Sequence, residues 1–165
     1  MPGTAFDAVD FWSKVGVGII TGAVAALLTA KITLNRFYHD KWWERKHQAY
    51  NDLVNNLFEL QVFYREAKKW SRKDRMGAIG LEDPDWERSV NLRIAIQRQL
   101  ALAPISLSKK TNGLLHDFFE KSNSQDWSMH MESMPAEVVY DEKVKLLKNV
   151  IHEITHDAKK ELKFR

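Results

Sequence analysis

The chain has 165 residues, 44% of them hydrophobic, a net charge of +3 and no cysteine. The missing thiol excludes disulfides, iron–sulfur clusters, thiolate zinc sites and cysteine nucleophiles together. Part of the basic excess lies beside the most apolar stretch, where an anionic membrane leaflet accounts for it before nucleic acid does.

That stretch is VGVGIITGAVAALLTAKITL, Val15 to Leu34, 20 residues whose only charge is Lys31. At 1.5 Å per residue it measures roughly 30 Å, the thickness of a bilayer's hydrocarbon core. Phe11 and Trp12 flank it on one side and Phe37, Tyr38, Trp42 and Trp43 on the other, rings of the kind that settle at membrane interfaces. Lys31 is near enough to the end to snorkel to the headgroups. The competing reading is a buried helix of a soluble protein, for which the 16 uncharged residues from Val15 to Ala30 suffice.

Lys14 is the only basic residue before the stretch, whereas Lys31, Arg36, Lys41, Arg45 and Lys46 crowd its far end. The positive-inside rule then predicts residues 1–14 as a short extracytoplasmic tail, 15–34 as a transmembrane helix and 35–165 as a cytoplasmic domain, in a bacterial inner membrane crossed once. The start MPGTAFDAVD lacks the basic n-region of a cleaved signal peptide, so the segment is expected to stay as an anchor. The predicted interface residues are Trp12, Lys31, Arg36, Phe37, Tyr38, Lys41 and Trp42. Gly18, Gly22, Ala26 and Ala30 follow at intervals of four and form one drifting stripe, the pattern that lets membrane helices approach closely. This stripe is the predicted oligomer face.

After the stretch, about 130 residues suit one small domain. From Ile32 to Met76 there is neither glycine nor proline, so the membrane helix is expected to continue outward to about Arg75. Trp43, Tyr50, Leu57 and Tyr64 recur every seven residues, and Val54, Phe58, Val62, Phe63 and Trp70 widen the stripe beyond a two-stranded seam, which favours packing against several helices. Asp83 before Pro84 reads as an N-cap with proline at the first helical position. Val90, Leu92, Ile94 and Ile96 alternate as a strand would, but no second strand-like run exists to pair with them. A helix from about Asp85 to Ala101 is expected instead, with Trp86, Val90, Ile94 and Ala101 on its core face and Pro104 ending it. Ser108 should cap a short helix, KKTNGLLHDFFEKS, followed by a polar loop, NSQDWSMHMESMP, whose Trp127 and methionines cap a bundle end or form an adaptable docking patch. A last helix is expected from about Ala136 to Lys163. The predicted fold is all-α: one N-terminal transmembrane helix continuing into a cytoplasmic antiparallel four-helix bundle.

The order of single span, basic juxtamembrane KWWERKHQAY, long helix, shorter helices joined through LALAPISLS, and a closing helix ending THDAKKEL resembles small single-pass bacterial inner-membrane proteins of unassigned function. W-W-E-R-K followed by A-Y is the sharpest part of that likeness. It implies a fold and an address, not an activity.

His152-Glu153-Ile154-Thr155-His156 matches the zinc-protease pattern H-E-x-x-H and looks like the HEITH of neprilysin-type peptidases, where both histidines bind zinc and the glutamate is the general base. Such sites need a third ligand, and the nine residues that follow do not hold the extended motif. On the helical wheel His152 and His156 fall roughly 115° and 155° from the apolar centre, so both are expected to face outward. The cluster Arg65, Lys68, Lys69, Arg72, Lys73 and Arg75 reads as a solvated helix end whose cations complement the macrodipole, or as a phosphate-binding end.

The expected function is therefore an oligomerising, membrane-anchored interaction or sensor module without catalysis, metal or cofactor. Its expected partners are the lipid bilayer, further copies of itself and an unidentified cytoplasmic protein; nucleic acid is not expected. The alternatives are a membrane effector of phage exclusion or toxicity acting through helix association, and a zinc peptidase using His152, Glu153 and His156.

Overall fold

The structure, a computed structural model, describes residues 8–77, 82–131 and 134–163, with side chains from Ala25 onward. Among them are four α-helices and no strand: α1 (Ala8–Arg75), α2 (Trp86–Ser106), α3 (Lys109–Met131) and α4 (Ala136–Glu161). The chain falls into two compact units, residues 1–43 and 44–165, and α1 contributes to both.

In the second unit the side-chain hydrogen bonds give the topology. Lys46 pairs with Glu161, Tyr50 donates to Asp157 at 3.4 Å, Gln61 donates to the Val144 carbonyl at 3.2 Å and Lys68 donates to Asp141 at 2.6 Å. Positions on α4 descend as those on α1 rise, so the two helices are antiparallel. Glu59 with Arg88 and Asn56 with Gln99 set α2 antiparallel to α1. Arg93 reaches Asp126 at 2.9 Å and Asn123 at 2.8 Å across α2 and α3, and Lys110 reaches Glu153 at 2.8 Å across α3 and α4. Each helix thus runs against the next and α4 closes on α1, giving the expected antiparallel four-helix bundle.

Leu53, Leu57 and Leu60 of α1, Ile96 of α2, Leu115 and Phe118 of α3 and Leu147 and Ile154 of α4 meet in its centre, all of them essentially inaccessible to solvent. Burying each such side chain contributes about 1.5–3 kcal/mol. Trp43, which the heptad spacing groups with Tyr50, Leu57 and Tyr64, is only half-buried, and its indole Nε1 donates to His39 Nε2 at 2.8 Å. Spacing is a property of one helix and becomes burial only where other helices face it.

Four expectations are corrected. α2 begins after Asp85, whose carboxylate accepts the Arg88 backbone N–H at 2.9 Å, so Asp85 and not Asp83 is the N-cap. Its expected face is shifted: the Trp86 ring still meets Phe63, Trp70 and Tyr140, but Val90, Ile94 and Ala101 are exposed while Ser89, Ile96 and Ala103 are buried with Leu92 and Leu100 beside them. Both faces carry apolar residues, and the second is the one packed on the core, with Arg88 and Arg93 paired to the neighbouring helices beside it. Pro104 does not end α2, which continues to Ser106, since a proline in a last turn removes a single intrahelical bond.

The fourth correction concerns 123–131, which is helix and not loop; no glycine or proline interrupts Leu114 to Met131, and Asp126 is tied to α2 and α4. Ser108 does cap α3, its hydroxyl accepting the Thr111 N–H at 3.0 Å. α1 ends as expected at Arg75, and Gly77 takes φ 72°, the left-handed conformation of a helix terminus.

Candidate functional site

In the first unit the described side chains run from Ala25 to Trp43. Leu27, Leu28, Ile32, Leu34, Phe37 and Tyr38 are 71, 56, 56, 55, 55 and 64% exposed. At 100° per residue these six positions spread over roughly 220° of the helix, and Thr29, Thr33 and Arg36, with Ala25 and Ala26, take the remaining side. Of the predicted oligomer face, Ala26 and Ala30 are exposed, while Gly18 and Gly22 lie outside the described side chains, as does Trp12 of the predicted interface. Lys31, Arg36, Phe37, Tyr38, Lys41 and Trp42 are exposed on the same helix. The Thr29 hydroxyl donates to the Ala25 carbonyl at 2.9 Å, so this polar group is satisfied within its own helix. Among the described residues no helix is long and apolar enough to cross a membrane; the segment 15–34 has its first ten side chains outside them.

The H-E-x-x-H segment lies on α4 with His152 and His156 both exposed, the outward orientation expected of them. Glu153 accepts from Lys110 at 2.8 Å, and this contact holds its carboxyl below the usual value. A general base works best with a raised value, so the pairing opposes that role. Among the described residues no group of three or more histidines and carboxylates is placed to hold a metal ion. The basic end of α1 is partly neutralised, Lys68 pairing with Asp141 and Arg75 with Glu137. Trp127 and Met131 stand exposed on the last turns of α3, and Met129 packs on the core.

Two buried polar clusters are not signalled by any motif. At one end of the core Asp157, 7% exposed, accepts at one carboxylate oxygen from Ser108, from Thr111 at 2.7 Å and from Tyr50 at 3.4 Å. Tyr50 Oη in turn accepts the Ser108 N–H at 3.1 Å. Burial pushes the Asp157 carboxyl up, but the hydroxyls of Ser108 and Thr111, the charge of Lys110 and Tyr50 together hold it below its usual value. Toward the other end Lys143, 1% exposed, pairs with Asp126 and lies 5.0 Å from the centre of the Tyr64 ring. Burial lowers the Lys143 ammonium, partly offset by Asp126, while Asp126 itself is held low against burial by Lys143 and Arg93. The sequence signal for both clusters is a polar residue at a core position of a helical stripe, Lys143 and Asp157 recurring with Val139, Leu147, Val150 and Ile154.

Between α1 and α4 an open groove of about 470 Å³ has Tyr50, Val54, Ala158 and Leu162 as its floor and His47, Asn51, Asn55, Thr155 and Lys159 as its rim. No carboxylate lines it. Compared with known protein families, with curated proteins and with solved structures, the chain matches none.

Proposed function

We propose that the chain is a membrane-anchored interaction module: residues 15–34 are the anchor, residues 1–14 lie outside, the four-helix bundle is cytoplasmic, and copies associate through Gly18, Gly22, Ala26 and Ala30. The observation that carries this reading is the exposure of Leu27, Leu28, Ile32, Leu34 and Phe37 around one helix. An exposed apolar arc this wide needs cover, and lipid is the cover that a roughly 30 Å apolar stretch fits. The internal bond of Thr29 and the aromatic and basic residues 36–42 suit the same environment.

The test is extraction of native membranes with alkaline carbonate, then with detergent. An anchored chain stays with the lipid until detergent is added; recovery in the carbonate wash sinks the anchor. Association is read by in-membrane crosslinking of wild type, Gly22→Leu and Val24→Leu. Gly22→Leu puts a branched side chain where two backbones should nearly touch, whereas Val24→Leu makes a hydrophobic change about 200° away. Loss of the oligomer in Gly22→Leu alone is expected, and equal oligomers in all three would make the stripe mere composition.

A further inference from the structure

We propose that the groove between α1 and α4 binds a single-chain anionic amphiphile, a long-chain fatty acid, with its carboxylate between His47 and Lys159 and its chain along Tyr50, Val54 and Ala158. The volume of about 470 Å³ falls within the roughly 300–1,000 Å³ of small-molecule sites. The pairs Lys46–Glu161 and Tyr50–Asp157 set the register of the two helices, and by that register His47 and Lys159 stand level across the groove at one end. Val54 lies two turns further along α1. Phe58, one turn beyond Val54 on the same side, is 50% exposed and extends the apolar track.

The charge around the groove selects the head. Lys148, His152 and Lys159 recur on one side of α4, all exposed, and the rim holds no acidic residue. Lys159 supplies the cation. His47 Nδ1 lies 3.1 Å from Asn51 Nδ2; with the amide donating, the imidazole proton sits on Nε2, free to donate to an anion. Asn51 and Asn55 add amide N–H groups to the same rim. The distribution also argues against a second copy as occupant, since a two-fold contact would set this basic rim against itself. The proposal is independent of the anchor, because every residue it uses belongs to the bundle.

The experiment uses the full-length chain, in phosphatidylcholine nanodiscs or in buffer if the protein purifies without lipid. It is irradiated with a palmitic acid analogue that carries a diazirine in its chain, and the labelled peptides are mapped. Labelling of 47–55 and 155–162 is expected, about tenfold weaker in Lys159→Glu, a change at an exposed position, and in Ala158→Trp, which fills the groove. Thermal unfolding of both variants reports whether the bundle is intact; if Ala158→Trp does not fold, Lys159→Glu decides alone. The corresponding alcohol should label these peptides about tenfold less than the acid. Equal labelling by acid and alcohol, labelling confined to residues outside the groove, or protein–protein crosslinks through these peptides in place of the label would each overturn the proposal.

Discussion

The two halves of α1 are built from similar residues and put them to opposite uses. Leu27, Leu28, Ile32, Leu34 and Phe37 are more than half exposed, whereas Tyr50, Leu53, Leu57, Leu60 and Ala67 are closed off from solvent. In the second half the apolar positions keep to one broad stripe and Asn51, Asp52, Asn55, Arg65 and Glu66 take the exposed side, so three further helices can cover the stripe. In the first half Leu27, Leu28, Ile32, Leu34 and Phe37 also spread over one broad arc, roughly 220°, with Thr29, Thr33 and Arg36 on the remaining side, yet they stay exposed. One helix thus shows that apolar content does not by itself specify burial within the chain; facing helices do.

The sharpest way to break this comparison is to disturb the buried side of the bundle. Asp126→Ala leaves Lys143, 1% exposed, without its carboxylate, and should cost about 3–5 kcal/mol in denaturant unfolding. Lys143→Met keeps the volume, removes the charge and leaves Asp126 on Arg93, and should cost far less. Equal costs would mean that water reaches Lys143.

Leu57→Ala should cost about 2–5 kcal/mol as a core cavity, and Leu28→Ala, an exposed position on the same helix, at most about 0.5 kcal/mol in the same assay. A large cost for Leu28→Ala would show that the first half packs within the fold and would remove the main support for a lipid-facing helix.

Tyr50→Phe should cost about 1 kcal/mol, because Asp157 loses only its longest bond, at 3.4 Å, while the Ser108 N–H loses its acceptor. The same cluster gives an acid dependence. Asp157 and Asp126 are held below their ordinary values, and Asp141 is lowered to about 2 by Lys145 and Lys68. A carboxyl depressed in the folded state contributes stability above its unfolded value of about 3.9, and that contribution disappears as pH falls through the folded value. Stability measured against pH should therefore be flat from about 7 to 5 and fall below about 4. In Asp157→Asn the fall should be shallower, and an unchanged slope would assign it to other carboxylates.

The smallest effect expected is that of Lys110→Ala, which removes a half-exposed, solvent-screened pair with Glu153 and should leave the unfolding midpoint essentially unchanged. A larger loss would give the H-E-x-x-H segment a structural weight that its exposed histidines do not indicate.

By itself the sequence determined the all-helical class, the end of α1 near Arg75, the Ser108 cap, the start of α4 at Ala136 and the outward orientation of His152 and His156. These follow from local terms: turn residues, caps and the angular pattern of one helix, each felt within a few residues. The tertiary structure decided which of the two apolar sides of α2 is buried, since Val90 and Ile94 compete with Leu92 and Ile96 on equal local terms and the difference comes from the neighbouring helices, which also meet Trp86, Arg88 and Arg93. It decided that 123–131 is helix, because Asp126 finds its partners on other elements. It also created the Asp157 and Lys143 clusters and the α1–α4 groove, which bring together residues such as Tyr50, Ser108 and Asp157, distant in sequence, whose donors and acceptors match only once the helices are in register.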